Sequence, residues 1–212
     1  MPEQRKKQAF MIPRLEAQLH VAQRHSDFDP RLVEIVSKQP PNLVFAQATP
    51  ESRKLYNQYS QVNSELMKLT CYLRLRINPH GILYASHTPL HAIEESLVSH
   101  FTYRFPKFVV VLGSKRGTFI GKNRSIARSQ RPLPEVLAAL EKQFPLDPIL
   151  QDLQSMDDDV WEAFYKSQYV KEKDNPTLFR RQVPKQILKM DGFEEERKLS
   201  RKGSLEKFLA PK

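Results

Sequence analysis

Between residues 55 and 69 the apolar positions Leu55, Tyr59, Val62, Leu66 and Leu69 recur three or four residues apart, the spacing of one helix face. Thr49-Pro50-Glu51 supplies a cap and a first-turn proline before them, so a helix of about five turns is predicted to run toward Lys68. From Leu69 the period shortens to two. Leu69, Cys71, Leu73, Leu75 and Ile77 alternate with Thr70, Tyr72, Arg74, Arg76 and Asn78, which predicts a strand with one apolar face and one face carrying two arginines and a tyrosine. Asn78-Pro79-His80-Gly81 reads as a turn and Ile82 to Ser86 as the returning strand. Thr88-Pro89 is expected to open a helix whose inner face is Leu90, Ile93, Leu97, Val98 and Phe101. Phe108 to Leu112 and Thr118 to Ile120 are two further strands around the turn Gly113 to Gly117. The expected fold is α+β: an antiparallel ββαββ sheet unit packed with N- and C-terminal helices.

Start signals place a short helix from Pro30 to Val36 behind Asp29, and others over Pro134 to Phe144, Asp147 to Gln154 and Asp157 to Val170. Lys122 to Arg131 reads as a polar basic loop. The expected organisation is an N-terminal charged segment over 1–28, a single α+β domain over 29–189 and a mobile charged tail over 190–212.

Charge changes this picture. Of a formal net charge of +10, residues 66–134 supply +9, from eleven Lys and Arg against Glu94 and Glu95. From Phe101 to Pro134 there are eight basic residues and no acid. Such a concentration on a folded segment points to a polyanionic partner. With the apolar sides used in packing, the cations are expected on an exposed sheet face, hairpin tips and edges: Arg74 and Arg76 on one strand, Lys115 and Arg116 at a tip, Lys122, Arg124, Arg128 and Arg131 on the loop. The single cysteine, Cys71, excludes an intrachain disulfide and a multi-cysteine zinc site, and on the apolar side of its strand it reads as a small buried hydrophobe. No stretch approaches a membrane span, and Met1 to Gln8 lacks the apolar core of a secretory signal. A reduced, cytoplasmic compartment is the expectation, with no cofactor.

Other motifs dissolve on inspection. Gly117-Thr-Phe-Ile-Gly121-Lys122 is one residue short of a phosphate loop and strand-like in its middle. Arg116-Gly117-Thr118-Phe119 lacks the aromatic pattern of an RNA-recognition strand. His87, His91, Glu95 and His100 offer no tight ligand pair on one buried face, so no metal site is expected. Asp157-Asp158-Asp159 reads as the acidic start of a helix. At the C-terminus, Leu205, Phe208 and Leu209 resemble the sliding-clamp-binding peptides of replication and repair proteins, in which an aliphatic residue precedes two bulky hydrophobes by three positions. Lys202 stands where that pattern has Gln, and Leu209 where it has an aromatic.

Several stretches in order carry a wider resemblance: Glu65-Leu-Met-Lys-Leu-Thr-Cys-Tyr-Leu-Arg74, the strand Ile82 to Ser86, His100-Phe-Thr-Tyr-Arg104-Phe105-Pro106, Val160-Trp161-Glu-Ala-Phe164-Tyr165-Lys166-Ser167, and Asn175-Pro-Thr-Leu-Phe-Arg180-Arg181-Gln-Val-Pro184-Lys185. Together they resemble an uncharacterised bacterial domain family described as a "probable DNA metabolism protein", sometimes fused to a uracil-DNA glycosylase-like domain or encoded beside a radical-SAM protein. The resemblance covers roughly Asp29 to Lys189. The chain departs from the family pattern at Met67, where histidine is usual, at Val109 or Val110, where tryptophan is usual, and at Ile187 and Leu188, where an aromatic is usual.

The resemblance implies a setting in DNA repair and no particular reaction. It adds Arg180, Arg181 and Lys185 to the basic set and passes through His100, Tyr103, Arg104 and Tyr165, the candidates for any catalytic role. The expected function is DNA binding as an accessory or component of DNA repair or DNA metabolism. The nucleic-acid set is Arg74, Arg76, Arg104, Lys115, Arg116, Lys122, Arg124, Arg128, Arg180, Arg181 and Lys185, and the tail is a tether to a sliding clamp. Two alternatives remain open. One is an enzyme acting on nucleic acid, a glycosylase or nuclease relative drawing on Glu94, Glu95 or His100. The other is a basic adaptor for an acidic protein.

Overall fold

In the computed structural model, which describes residues 13–147, the start signal at Thr49-Pro50 opens the longest helix. Thr49 and Ser52 cap each other: Ser52 N–H donates to Thr49 Oγ1 (3.1 Å) and Thr49 N–H to Ser52 Oγ (3.0 Å), satisfying backbone donors a helix start leaves open. Residues 13–22 are helical (α1), followed by α2 (Arg31–Ser37), α3 (Pro41–Phe45) and α4 (Pro50–Tyr72). Then come β1 (Arg76–Ile77), β2 (Ile82–Ser86), α5 (Glu94–Arg104), β3 (Val109–Ser114), β4 (Gly117–Lys122), β5 (Ser125–Ser129) and α6 (Leu133–Glu141). No helix among the described residues is long and apolar enough to cross a membrane.

The described residues fall into two units, one of 13–67 with 89–93 and one of 68–88 with 94–147. In the first, α1 to α4 bury Leu15, Leu19, Ala22, Leu32, Val36, Val44 and Leu55, with Phe28, Val33, Phe45 and Tyr59 packed against them. Leu15, Leu19 and Ala22 of α1 thus contribute to a core although they fall within 1–28, the stretch expected as a charged segment.

The second unit is built on a five-stranded sheet ordered β1-β2-β3-β4-β5. It is mixed, not antiparallel as expected. β2 and β3 are parallel, because the chain crosses over through α5 between them, and the other pairs are antiparallel. The element order is ββαβββ. α5 covers one face with Leu97, Val98, Phe101 and Thr102. α6 covers the other, where Val136 joins Ile82, Val109 and Val111, with Leu133, Leu137, Leu140 and Phe144 around them. Both faces being covered at the centre of the sheet explains why β3 is buried from Val109 to Gly113 instead of alternating, and it leaves no open face there for the cations. α5 lies close: a Cβ on Gly121 would sit 2.5 Å from Thr102 Cγ2 and clash with Val98 Cγ1.

Three local readings are corrected. The expected strand at Leu69 is the last turn of α4, with Leu73 N–H donating to Leu69 O (2.9 Å). Leu69 and Leu73, both buried, are four apart as well as on an alternating register, and the helical period wins. Cys71 is consequently exposed on the helix, not buried in a sheet, and Arg74 precedes β1 instead of lying on a strand face. The helix expected at Thr88 begins at Glu94. Leu90 N–H and His91 N–H donate to the Glu65 carboxylate (2.7 and 2.9 Å) and Ala92 N–H to Arg24 O (2.9 Å), so these donors are committed outside a helix and Leu90 is exposed. The loop expected from Lys122 to Arg131 contains β5, entered by a two-residue turn in which Asn123 (φ 49°) and Arg124 (φ 67°) are both left-handed. β5 is an edge strand exposed from Ser125 to Arg128, so it carries no apolar alternation to betray it.

Candidate nucleic-acid interface

Antiparallel strands turn at alternate ends of a sheet, and this alone divides the basic residues of the second unit into two groups. At one end lies the β3–β4 hairpin, with Lys115 exposed and Arg116 half-buried. Gly117 closes it at φ 122°, where a Cβ would also meet Ser129 O at 2.6 Å. Arg116 is not offered to a partner. Its Nε donates to Glu94 Oε1 at 2.7 Å, the same oxygen that accepts Ser114 Oγ–H at 2.8 Å, and Glu94 is 2% exposed. Glu94 thus comes from the first turn of α5, where the helix dipole favours a carboxylate, to anchor the hairpin. Arg128 packs over the Phe119 ring (5.5 Å) and donates through Nε and Nη2 to Arg116 O.

The opposite end is built differently. Asn78, buried in the turn before β2, accepts His80 N–H (3.1 Å) and Ile82 N–H (2.9 Å) at Oδ1 and donates through Nδ2 to Glu141 Oε1 (2.9 Å). That turn also receives the end of α6, with His80 Nδ1 2.7 Å from Phe144 O. α5 runs opposite to β2 and β3 and so delivers Arg104, then Lys107, to this end. Lys122 and Arg124 come from the β4–β5 turn, and Lys142 caps α6. All five are exposed. Lys122 lies over the Phe144 ring (4.5 Å) and Arg104 over Phe105 (5.5 Å), contacts that hold the side-chain stems while leaving the charged heads at the surface. Among the described residues two acids share this end: Glu141, engaged by Asn78, and Asp147, whose N–H donates to Pro79 O.

The expected basic set is therefore not brought together whole. Arg104, Lys122 and Arg124 share one end of the sheet, while Lys115, Arg116 and Arg128 share the other. Arg76 is exposed on the edge strand β1, paired with Tyr84. Arg180, Arg181, Lys185, Tyr165, Leu205, Phe208 and Leu209 lie outside the described residues. Lys107 and Lys142 join the basic end without having been singled out; for Lys107 the acid-free run from 101 to 134 was the available signal, whereas Lys142 depends on where α6 stops. Of the catalytic candidates, His100 is exposed and edge-on to Phe101, and Tyr103 is 78% exposed beside Arg104. No group of three metal-ligating side chains forms among the described residues.

A sheet layered between two helices, with exposed cations gathered at one end and a buried carboxylate tying the hairpin at the other, makes this an α+β domain. The sequence places it among known families: residues 25–190 match the family named Domain of unknown function (DUF4130), and the chain belongs to that family. No curated protein and no solved structure matches it.

Proposed function

We propose that this protein binds DNA as an accessory or component of DNA metabolism, and that the phosphate contacts are made by the basic end of the sheet. The observation that carries this reading is the convergence of Arg104, Lys107, Lys122, Arg124 and Lys142, from three elements and two connections, on one end of the second unit. Lysines and arginines spread over such a surface neutralise successive phosphates and fix a duplex without reading its sequence. Arg124 adds weight. Glycine is the residue of choice at its left-handed turn position, and a non-glycine residue there costs of order 1 kcal/mol. Arg124 at this position sets its cation at the tip of the turn, in solvent.

The same geometry lowers the standing of Glu94 as a catalytic carboxylate, since its Oε1 is already engaged by Arg116 and Ser114. The test is equilibrium binding to labelled duplex DNA across a salt series. If each of the five cations takes one phosphate, log K falls with log salt at a slope of about −4.5. No measurable binding to duplex DNA rejects the reading and favours an adaptor that meets a protein partner, and tight binding that ignores salt rejects the phosphate contacts.

A further inference from the structure

The last turn of α5 holds an aromatic ring out in solvent. With Leu97, Val98, Phe101 and Thr102 turned to the sheet, the helical period sets Tyr103 on the opposite side of α5. It is 78% exposed, more than any other large hydrophobic side chain among the described residues. Its ring and hydroxyl enter no ring pair, cation contact or hydrogen bond among those residues. A single exposed aromatic decides nothing by itself. The neighbours of this one do. Arg104 follows it in the chain and Lys107 lies four residues on, both exposed cations of the basic end, and no acid occurs from Phe101 to Pro134. The Arg104 guanidinium lies over Phe105 (5.5 Å) and leaves the Tyr103 ring uncovered. His100, exposed and three residues earlier, borders Tyr103 on the same side of the helix, its own ring edge-on to Phe101 (5.2 Å).

We infer that Tyr103 is a stacking platform for an unpaired base, and that the preferred ligand is DNA in which a duplex runs into a single strand. The inference rests on the phosphate contacts proposed for the basic end and names the class of DNA that end receives. Every base has a π-face, so a solvated ring set among cations offers stacking to a base while the cations hold the flanking phosphates. Within a continuous duplex the bases are already stacked on one another, and the ring finds a base only where a strand is unpaired. This contact needs an open ring and no enclosed pocket. It meets the face of the base and not its hydrogen-bonding edge, so it carries no sequence preference beyond stacking strength.

The experiment is equilibrium binding of the full chain to three labelled DNAs: a blunt duplex, the same duplex with a short single-stranded extension, and that extension with abasic sites in place of its bases, which keeps the phosphates. The extension with bases is expected to bind about tenfold more tightly than the abasic one. Tyr103→Ala, at an exposed position, should bring that ratio to about one, and Tyr103→Phe, which keeps the ring, should preserve it. A fluorescent aminopurine in the extension gives a second readout: its emission should be quenched by the parent and by Tyr103→Phe protein, and not by Tyr103→Ala protein. Base and abasic extensions bound alike by the parent, or a ratio indifferent to Tyr103→Ala, overturns the inference. Either result leaves the basic end standing where blunt-duplex affinity still falls in Lys107→Gln/Arg124→Gln protein; no binding to any of the three DNAs overturns both.

Discussion

Removing Glu94 separates an anchor from a catalytic acid. The carboxylate is 2% exposed, and its Oε1 accepts from Arg116 Nε and Ser114 Oγ at 2.7 and 2.8 Å. Truncating one member of a fully buried ion pair costs about 3–5 kcal/mol, because the other is left as an uncompensated charge. Here the Arg116 side chain is 36% exposed and can turn its guanidinium to water, which lowers the cost. Ser114 also has Gly117 O within 3.3 Å as another acceptor. Glu94→Ala should therefore destabilise by about 2 kcal/mol, and Glu94→Gln, which keeps an oxygen of the same shape, by about 1 kcal/mol. With Arg116→Ala, a double-mutant cycle should return a coupling of about 1–2 kcal/mol. Urea unfolding followed by far-ultraviolet circular dichroism reads the parent and all four variants, and their duplex DNA affinities should match. A Glu94→Ala protein within about 0.5 kcal/mol of the parent, with no coupling to Arg116, refutes the anchor. Unchanged stability with lost DNA affinity would move Glu94 into the interface.

Two other outcomes follow from the same geometry, and a third tests the tail. Cys71, exposed on α4, should react with an aromatic disulfide reagent in native protein at a rate near that of a small free thiol; protection until unfolding would restore the buried-strand reading. Gly121→Ala drives a methyl against Val98 and Thr102 and should cost about 1–3 kcal/mol in urea unfolding, whereas a neutral result means that α5 stands further from β4. The tail tether is a proposal read from Leu205, Phe208 and Leu209: it requires that the full chain capture a sliding clamp in a pull-down and that deletion of residues 202–212 abolish the capture, and a full chain that captures no clamp, or capture that survives the deletion, rejects it.

The elements that the sequence made legible are those in which pattern and packing agree. The Thr49 start, the apolar stripe through Leu55 and Val62, the Asn78 to Gly81 turn and the β3–β4 hairpin all place their side chains where the period says. Legibility failed where two periods coincided, as at Leu69 and Leu73, where a contact distant in sequence decided the outcome, as Glu65 does for Leu90 and His91, and where an edge strand needed no apolar face. The parallel β2–β3 pair follows from the crossover through α5 and could have been deduced from it. The charge count located the basic region but not its partition, because ends of a sheet are set by strand direction and not by position in the sequence. Arg116 shows the difference: it sits in the most basic stretch of the chain, yet its charge is committed to Glu94.

The central claim is that phosphates are held at one end of the sheet, by the cations left exposed there. It is tested most directly by the salt slope of duplex DNA binding in wild-type and Lys107→Gln/Arg124→Gln proteins, two substitutions at exposed positions. The slope should change from about −4.5 to about −2.7, with affinity lost at every salt concentration. An unchanged slope in the double variant, together with a reduced one in Lys115→Gln/Arg128→Gln protein, would place the DNA at the other end and contradict the assignment.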